Sequence, residues 1–179
     1  MRGANNGEPT KFIVTSRWIP DKGDSGRLYF STAFAVHPDI MLGVDYRPLA
    51  DQVGGFATWR VLSEGDRRPA VIMATSNDDF TVNDEEINSQ SVSAVAAKAL
   101  IDWNGWSASP YAGAVYLFEL EELRPVAGAS VRYDRASVML QYSGTDIHLS
   151  ASYDVTDQLG VSFIHWGLKY PGVGMRFRF

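Results

Sequence analysis

The chain has 179 residues, a formal net charge of -5 and no cysteine. Its length is that of one domain. Without cysteine there are no disulfides, thiolate metal sites, catalytic thiols or lipid-attachment cysteines, and the acidic balance argues against a nucleic-acid-binding protein. No apolar run approaches the ~18 residues of a transmembrane helix. The sixteen glycines and five tryptophans are typical of a chain built from strands and turns.

Residues 1–10 are polar and rich in glycine and asparagine, which predicts a flexible tail. They lack the apolar core of a secretory signal. The next segments have the alternation or turn boundaries of strands. Five strands are predicted over residues 11–19, 28–36, 40–47, 55–62 and 69–75.

Residues 76–90 form the longest and most acidic polar segment, and we predict a loop there. Residues 92–100 are rich in alanine, which favours a helix by propensity, but we assign a strand for consistency with the neighbours. Residues 103–110 read as a turn region that leaves room for a further short strand. Three more strands are predicted over residues 111–118, 124–133 and 136–142.

The last third, residues 147–179, has the most regular two-residue period, over three strands. In the final strand one face is wholly apolar and the other carries glycine and arginine. In a soluble sheet the apolar face of such a strand packs on a protein core and the other face meets water. In a transmembrane barrel the apolar face meets lipid and the other face lines a water-filled lumen. The apolar positions are Val173, Met175, Phe177 and Phe179, and those between them are Gly172, Gly174, Arg176 and Arg178.

This closing strand resembles the signal by which bacterial outer-membrane β-barrels are recognised for assembly. The resemblance is carried by Tyr170, Val173, Met175, Phe177 and Phe179. It implies an all-β fold, a closed antiparallel transmembrane β-barrel over residues 11–179, in a Gram-negative outer membrane. Outer-membrane lipid and the barrel assembly machinery are then its partners. The strands number about twelve, with ten or fourteen as alternatives, and a soluble antiparallel sandwich is the competing fold.

The predicted connections alternate in length. Those after the first, third and fifth strands are longer and more polar, and those after the second, fourth and tenth are tight. Bacterial barrels place long loops outside and short turns in the periplasm. An even strand count then puts both termini in the periplasm and the acidic residues 78–86 outside.

If the apolar faces meet lipid, the alternate positions line a lumen in which positive charge predominates. Rings of charge set pore selectivity, so a cationic lumen favours anionic solutes or an anionic polymer. The alternative is a plugged barrel whose arginines pair with carboxylates and which conducts nothing. The predicted lumen-lining residues are Asp45, Arg47, Arg60, Lys98, Arg132, His148, Asp154, Arg176 and Arg178.

Catalytic and metal sites are not predicted. His148, Ser150 and Asp154 suggest a hydrolytic triad, but residues two apart on one strand lie about 7 Å apart, too far for triad hydrogen bonds. The acidic residues 78–86 lack the spacing and glycine of an EF-hand loop. We therefore expect no enzyme, no metal and no cofactor.

Four further segments are similar to YjbH-like outer-membrane barrels associated with exopolysaccharide export: residues 43–48, 70–77, 93–98 and 172–179. Members of that family are usually longer, and some are lipoproteins, which a chain without cysteine does not match. The resemblance implies an exopolysaccharide or secretion complex as partner. Together these features predict a passive channel or export outlet. The alternatives are a non-conducting barrel that anchors a periplasmic or secretion partner and a lipid-modifying enzyme.

Overall fold

Strands joined edge to edge form nearly all of the chain. The computed structural model describes residues 11–82 and 85–179, apart from the side chains of residues 78–88 and 102. The predicted tail, residues 1–10, lies outside the described residues. The elements are β1 (Phe12–Trp18), α1 (Asp24–Arg27), β2 (Leu28–His37), β3 (Ile40–Arg47), β4 (Gln52–Leu62), β5 (Ala70–Val82), β6 (Glu85–Ala97), β7 (Ile101–Trp103), β8 (Trp106–Leu117), β9 (Glu122–Tyr133), β10 (Ala136–Tyr142), β11 (Ile147–Asp154), β12 (Leu159–Trp166) and β13 (Tyr170–Arg178).

Each strand from β1 to β6 pairs antiparallel with the next, β6 pairs with β8, and the series from β8 ends where β13 pairs with β1. The result is a closed barrel of twelve antiparallel strands. The short β7 pairs with the first residues of β8, beyond the stretch that β6 occupies. The prediction of an all-β closed antiparallel barrel of about twelve strands is therefore confirmed.

The barrel has two ends, which we name by what they carry. The terminus end is where β1 begins and β13 ends, and it carries the β9–β10 turn at Asp134 and the β7–β8 turn at Asn104 and Gly105. Those last two residues have φ values of 51° and 81°, as a type I′ hairpin turn requires. The loop end carries the β1–β2 connection and the turns after β3, β8, β10 and β12.

Most of the large exposed apolar residues of this barrel lie on its outside. Val173, Met175 and Phe177 alternate with inward residues, and each is more than a third exposed. By contrast, the only buried apolar cluster among the described residues is small: Val115, Leu117 and Val126, inside the wall at β8 and β9, with Val95 and Leu120 against it. Strands with a period of two place every second side chain on one face, so this inside-out distribution follows from the sequence alternation.

The predicted alternation of loop lengths holds for the first two connections, of nine and two residues, and is wrong for the next three. The connection after β3 has four residues, that after β4 has seven, and that after β5 has two. The acidic segment expected as a loop instead continues β5 and β6, whose backbones pair as far as Val82 with Glu85. Backbone pairing does not require apolar side chains, so the polar composition did not mark a loop.

The β1–β2 connection, residues 19–27, folds back into the loop end of the barrel. Ile19 is fully buried and Lys22 is 2% exposed. A Cβ at Gly172 of β13 would lie 2.6 Å from Cγ1 of Ile19, so a glycine there leaves room for the connection. No described helix has the length and apolar character of a membrane-spanning helix.

Candidate functional site

Three arginine side chains converge on one carboxylate inside the terminus end. Arg132 and Arg176 each place Nη2 3.0 Å from an oxygen of Asp154, and Arg178 contacts both oxygens, with its shortest distance 3.0 Å. We call these four residues the Asp154 cluster. Three guanidinium groups against one carboxylate give the cluster a net charge of about +2, because arginine stays protonated in proteins.

The sequence positions of the Asp154 cluster explain how it assembles. Asp154 ends β11 and pairs with Gly160 of β12, which in turn pairs with Arg176 of β13. A Cβ at Gly160 would lie 2.9 Å from Oδ1 of Asp154, so the glycine lets the carboxylate reach across the strand toward the arginines. Asp154 is 6% exposed, whereas the side chains of Arg132 and Arg176 are 41% and 38% exposed. The arginines therefore present positive charge to the open interior.

A cavity of about 480 Å³ occupies the middle of the barrel. Seven serines line it, from β5, β6, β11, β12 and the β10–β11 turn, and apolar side chains, among them Val95, Val115, Val126, Met139 and Ile164, cover the larger part of its wall. Arg176 lines it from the terminus end, while Arg17 lines it from the loop end. A space of this size with serine hydroxyls and two guanidinium groups is suited to water and polar solutes.

Cations also pack against aromatic rings at the loop end. The guanidinium of Arg17 lies 4.7 Å from the ring centroid of Tyr29 and 4.5 Å from that of Trp166, and Nζ of Lys22 lies 5.3 Å from Trp166. Such contacts hold a cation while leaving it partly desolvated. Arg17 is on the inward face of β1 because its register partner is Gly174 of β13.

A second inward aspartate lies near the loop end. Oδ1 of Asp45 is 3.8 Å from Nε of Arg47, and both side chains are nearly inaccessible. Arg47 also donates to the carbonyl of Asn77. We call Asp45 and Arg47 the Asp45 pair. The pair is packed into the wall rather than open to the cavity.

His148 makes hydrogen bonds that select one tautomer of its neutral ring. The N–H of Gly167 donates to Nδ1 of His148 at 3.0 Å, and Nε2 lies 3.0 Å from Oγ of Ser143. Because Nδ1 is an acceptor, the ring proton of the neutral imidazole is on Nε2, which donates to Ser143. A general base needs a free acceptor nitrogen toward the nucleophile, so this geometry does not activate Ser143.

The nine predicted lumen-lining residues fall into two groups. Asp45, Arg47, Arg132, His148, Asp154, Arg176 and Arg178 lie on the inward register. Arg60 and Lys98 lie at the terminus rim, tied to turns rather than along the interior. Arg60 pairs with Asp39 at 2.8 Å, and Nζ of Lys98 is 3.1 Å from Glu64.

The residues of the predicted assembly signal do not share one face. Val173, Met175 and Phe177 point outward, whereas Tyr170 pairs with Trp166 on the inward register. Phe179 follows β13, and its ring lies 6.0 Å from that of Phe12.

Sequence reasoning missed several interior residues. Arg17 and Lys22 were not assigned to the lumen, and neither were Trp166 and the serines of β11 and β12. For Arg17 a signal was present, because Ile13, Thr15 and Arg17 share one parity in β1. Lys22 carried none, since it lies in a connection.

No protein-family model and no curated protein matches the chain.

Proposed function

We propose that the chain is a bacterial outer-membrane β-barrel that acts as a narrow channel for small anionic solutes. The membrane part of this proposal is supported by the outer face. No paired outward position whose side chain is described carries an aspartate, glutamate, lysine or arginine. A charged side chain facing hydrocarbon costs several kcal/mol, about 2–4 for lysine or arginine at the midplane, so an uncharged outer wall fits lipid.

Aromatic residues at both ends of the outer face support the same setting. Near the terminus end they include Phe34, Trp59, Trp106, Tyr133 and Tyr153, and near the loop end Trp18, Phe30, Tyr46, Phe118 and Tyr142, all exposed. The positions between these rings are mainly valine, leucine, alanine and methionine. Two aromatic girdles around an aliphatic band are typical of transmembrane barrels.

The observation that carries the channel proposal is the Asp154 cluster. Its net positive charge lies at one end of the central cavity. Arg132 and Arg176 are both partly exposed, and Arg176 lines that cavity. Fixed charge at a constriction raises the local concentration of counter-ions. Anions are therefore the solutes that this interior favours, and an acidic exopolysaccharide is the polymeric form of the same chemistry.

Single-channel recording in planar lipid bilayers tests the proposal. The double variant Arg132→Gln, Arg176→Gln leaves Arg178 paired with Asp154 and removes the excess charge. We expect its reversal potential in a salt gradient to lose the anion preference of the wild type. The matched control is Arg67→Gln, Arg135→Gln, which removes two charges from exposed residues at the terminus end and keeps the preference.

A folded protein that inserts into bilayers but conducts in neither form would contradict the channel proposal. That outcome would favour a non-conducting barrel that anchors a periplasmic or secretion partner. The observation that favours this second function is that Ile19, Lys22 and Arg47 are packed and buried in the loop end of the barrel.

A further inference from the structure

We infer that the central cavity binds hydroxylated carboxylates of the sugar-acid class, along a row of serines that joins its two cationic ends. The inference names the solute class of the proposed channel and rests on that proposal for the route of entry only. It depends on the strand register, on the hydrogen bonds of the serines and on the placement of the arginines.

The register places one continuous row of inward residues across six strands. Arg132 pairs with Ser137, Ser137 with Ser152, and Ser152 with Ser162. Ser162 then pairs with Gly174, and Gly174 with Arg17. Barrel strands are tilted, so a row of paired residues runs obliquely around the wall. This serine row therefore leads from Arg132 near the terminus end to Arg17 near the loop end.

The hydroxyls of the serine row are available to a solute. Ser137, Ser152 and Ser162 make no side-chain hydrogen bond to any residue that the structure describes, and Ser152 and Ser162 line the cavity. The serines on the opposite wall differ, because Oγ of Ser93 donates to the carbonyl of Ala74 and Ser76 and Ser91 lie 3.0 Å apart. One wall thus satisfies its hydroxyls internally, and the other leaves them to water or ligand.

Gly174 widens the middle of the row. A Cβ there would lie 2.6 Å from Oγ of Ser162, so any side chain would cover that hydroxyl. Neighbouring strands are about 4.8 Å apart. The three hydroxyls are therefore spaced at roughly one strand separation, and a molecule with several hydroxyls along its length can bond to more than one.

The arginines at the two ends of the cavity, Arg176 and Arg17, select for a carboxylate. Arg176 lines the cavity with a side chain that is 38% exposed, so its guanidinium group can meet an incoming oxygen. Arginine binds carboxylates through parallel charge-assisted hydrogen bonds. A neutral sugar would use the hydroxyls without the arginine, and a simple anion would use the arginine without the hydroxyls. Only a molecule that carries both groups uses the whole wall.

Isothermal titration calorimetry on the folded barrel in detergent micelles measures this binding without requiring conduction. The probes are glucuronate, glucose as the neutral polyol, acetate as the plain carboxylate, and a short oligogalacturonate. We expect glucuronate to bind more tightly than glucose and acetate. If the oligomer binds more tightly than glucuronate, the natural ligand is a polymer. If the two bind equally, the natural ligand is a free sugar acid. Equal affinity for glucuronate and acetate, or no binding of glucuronate, would overturn the inference.

Serine variants locate the site. Ser152→Ala, Ser162→Ala removes two hydroxyls and should weaken glucuronate binding about tenfold, since each neutral hydrogen bond contributes a few-fold to affinity, while acetate binding is unchanged. Ser93→Ala is the matched control in the same cavity and should bind as the wild type. Circular dichroism establishes that each variant is folded. If Ser93→Ala loses as much affinity as the double variant, the serine row is not the site.

The two proposals fail separately. Binding of glucuronate by a barrel that does not conduct would remove the channel function and leave the sugar-acid site standing. Anion-selective conduction without glucuronate binding would do the reverse.

Discussion

Two inward aspartates among the described side chains have closely similar local settings and different surroundings. Asp154 pairs with Gly160 on the next strand, and Asp45 pairs with Gly54 on its next strand. In both cases a Cβ on the glycine would meet the carboxylate, at 2.9 Å and 2.7 Å. One row of paired inward residues also links the two aspartates. It runs through Asp154, Gly160, Arg176, Thr15, Ser31 and Asp45.

What differs is access. Asp45 and Arg47 are almost inaccessible, whereas Arg132 and Arg176 beside Asp154 are partly exposed and Arg176 lines the cavity. The same local device, a carboxylate reaching over a glycine, thus supports a packed structural contact at one end and an open charged surface at the other. The difference implies that the two sites respond differently to substitution.

The largest effect is expected from Asp154→Asn. This substitution removes the negative charge of the carboxylate and leaves three guanidinium groups close together without a counter-charge. Breaking a buried ion pair costs 3–5 kcal/mol, and because two of the arginines are partly exposed we expect about 3 kcal/mol. Urea unfolding followed by tryptophan fluorescence measures it.

The control for that measurement is Asp157→Asn, which removes a rim carboxylate 3.6 Å from Arg135. Exposed pairs contribute less than about 1 kcal/mol. Similar small shifts in both variants would mean that the Asp154 cluster is solvated like the rim and is not a distinct site.

Alanine at the two facing glycines separates the sealed site from the open one. Gly54→Ala places a methyl group against Asp45, whose neighbours are buried and cannot move aside, and we expect a loss of about 2 kcal/mol. The methyl group of Gly160→Ala meets side chains that can shift into the cavity, so we expect a loss of stability of about 1 kcal/mol. The comparison of urea midpoints checks this order, and a reversed order would contradict the assignment of the Asp45 pair as the sealed one.

The sequence was sufficient for the parts of the fold that depend on parity alone. The alternation around Met175 and Phe177 predicted which face of β13 is apolar, and the same count placed Arg176 and Arg178 on the other face. The assignment of odd and even positions to the two faces of a strand is not affected by errors in loop length, because it depends only on the strand itself. The twelve-strand closed barrel followed from counting such segments.

Contacts between distant strands were beyond sequence reasoning. That Arg132 shares Asp154 with Arg176 depends on the register of β9 through β13, which the turns fix and composition does not. The serine row depends on the same registers. Lys22 was missed for another reason: it lies in a connection, and nothing in its neighbours marks a segment that folds inward.

A smaller effect is expected from replacing arginine with lysine within the Asp154 cluster. Arg178 contacts both carboxylate oxygens, whereas Arg132 contacts one. Lysine keeps the charge but loses the paired donors, so Arg178→Lys should cost about 1 kcal/mol more than Arg132→Lys. The same urea series measures both variants, and equal costs would mean that the contact of Arg178 with both oxygens adds nothing.

The smallest effect concerns the rim carboxylate Glu64 and depends on pH. Hydrogen bonds from Lys98 and then from the backbone N–H of Ala99 hold the pKa of Glu64 below its ordinary value of 4.5. A lowered pKa in the folded state stabilises the protein above the unfolded pKa, and this stabilisation is lost as the pH falls through the folded value. The urea midpoint of Glu64→Gln should therefore lie slightly below that of the wild type at neutral pH, and the gap should close below pH 4.5. Glu121→Gln, in a loop-end turn, is the control and should leave no gap that closes in this way. A gap for Glu64→Gln that persists in acid would mean that the carboxylate acts through packing rather than through its charge.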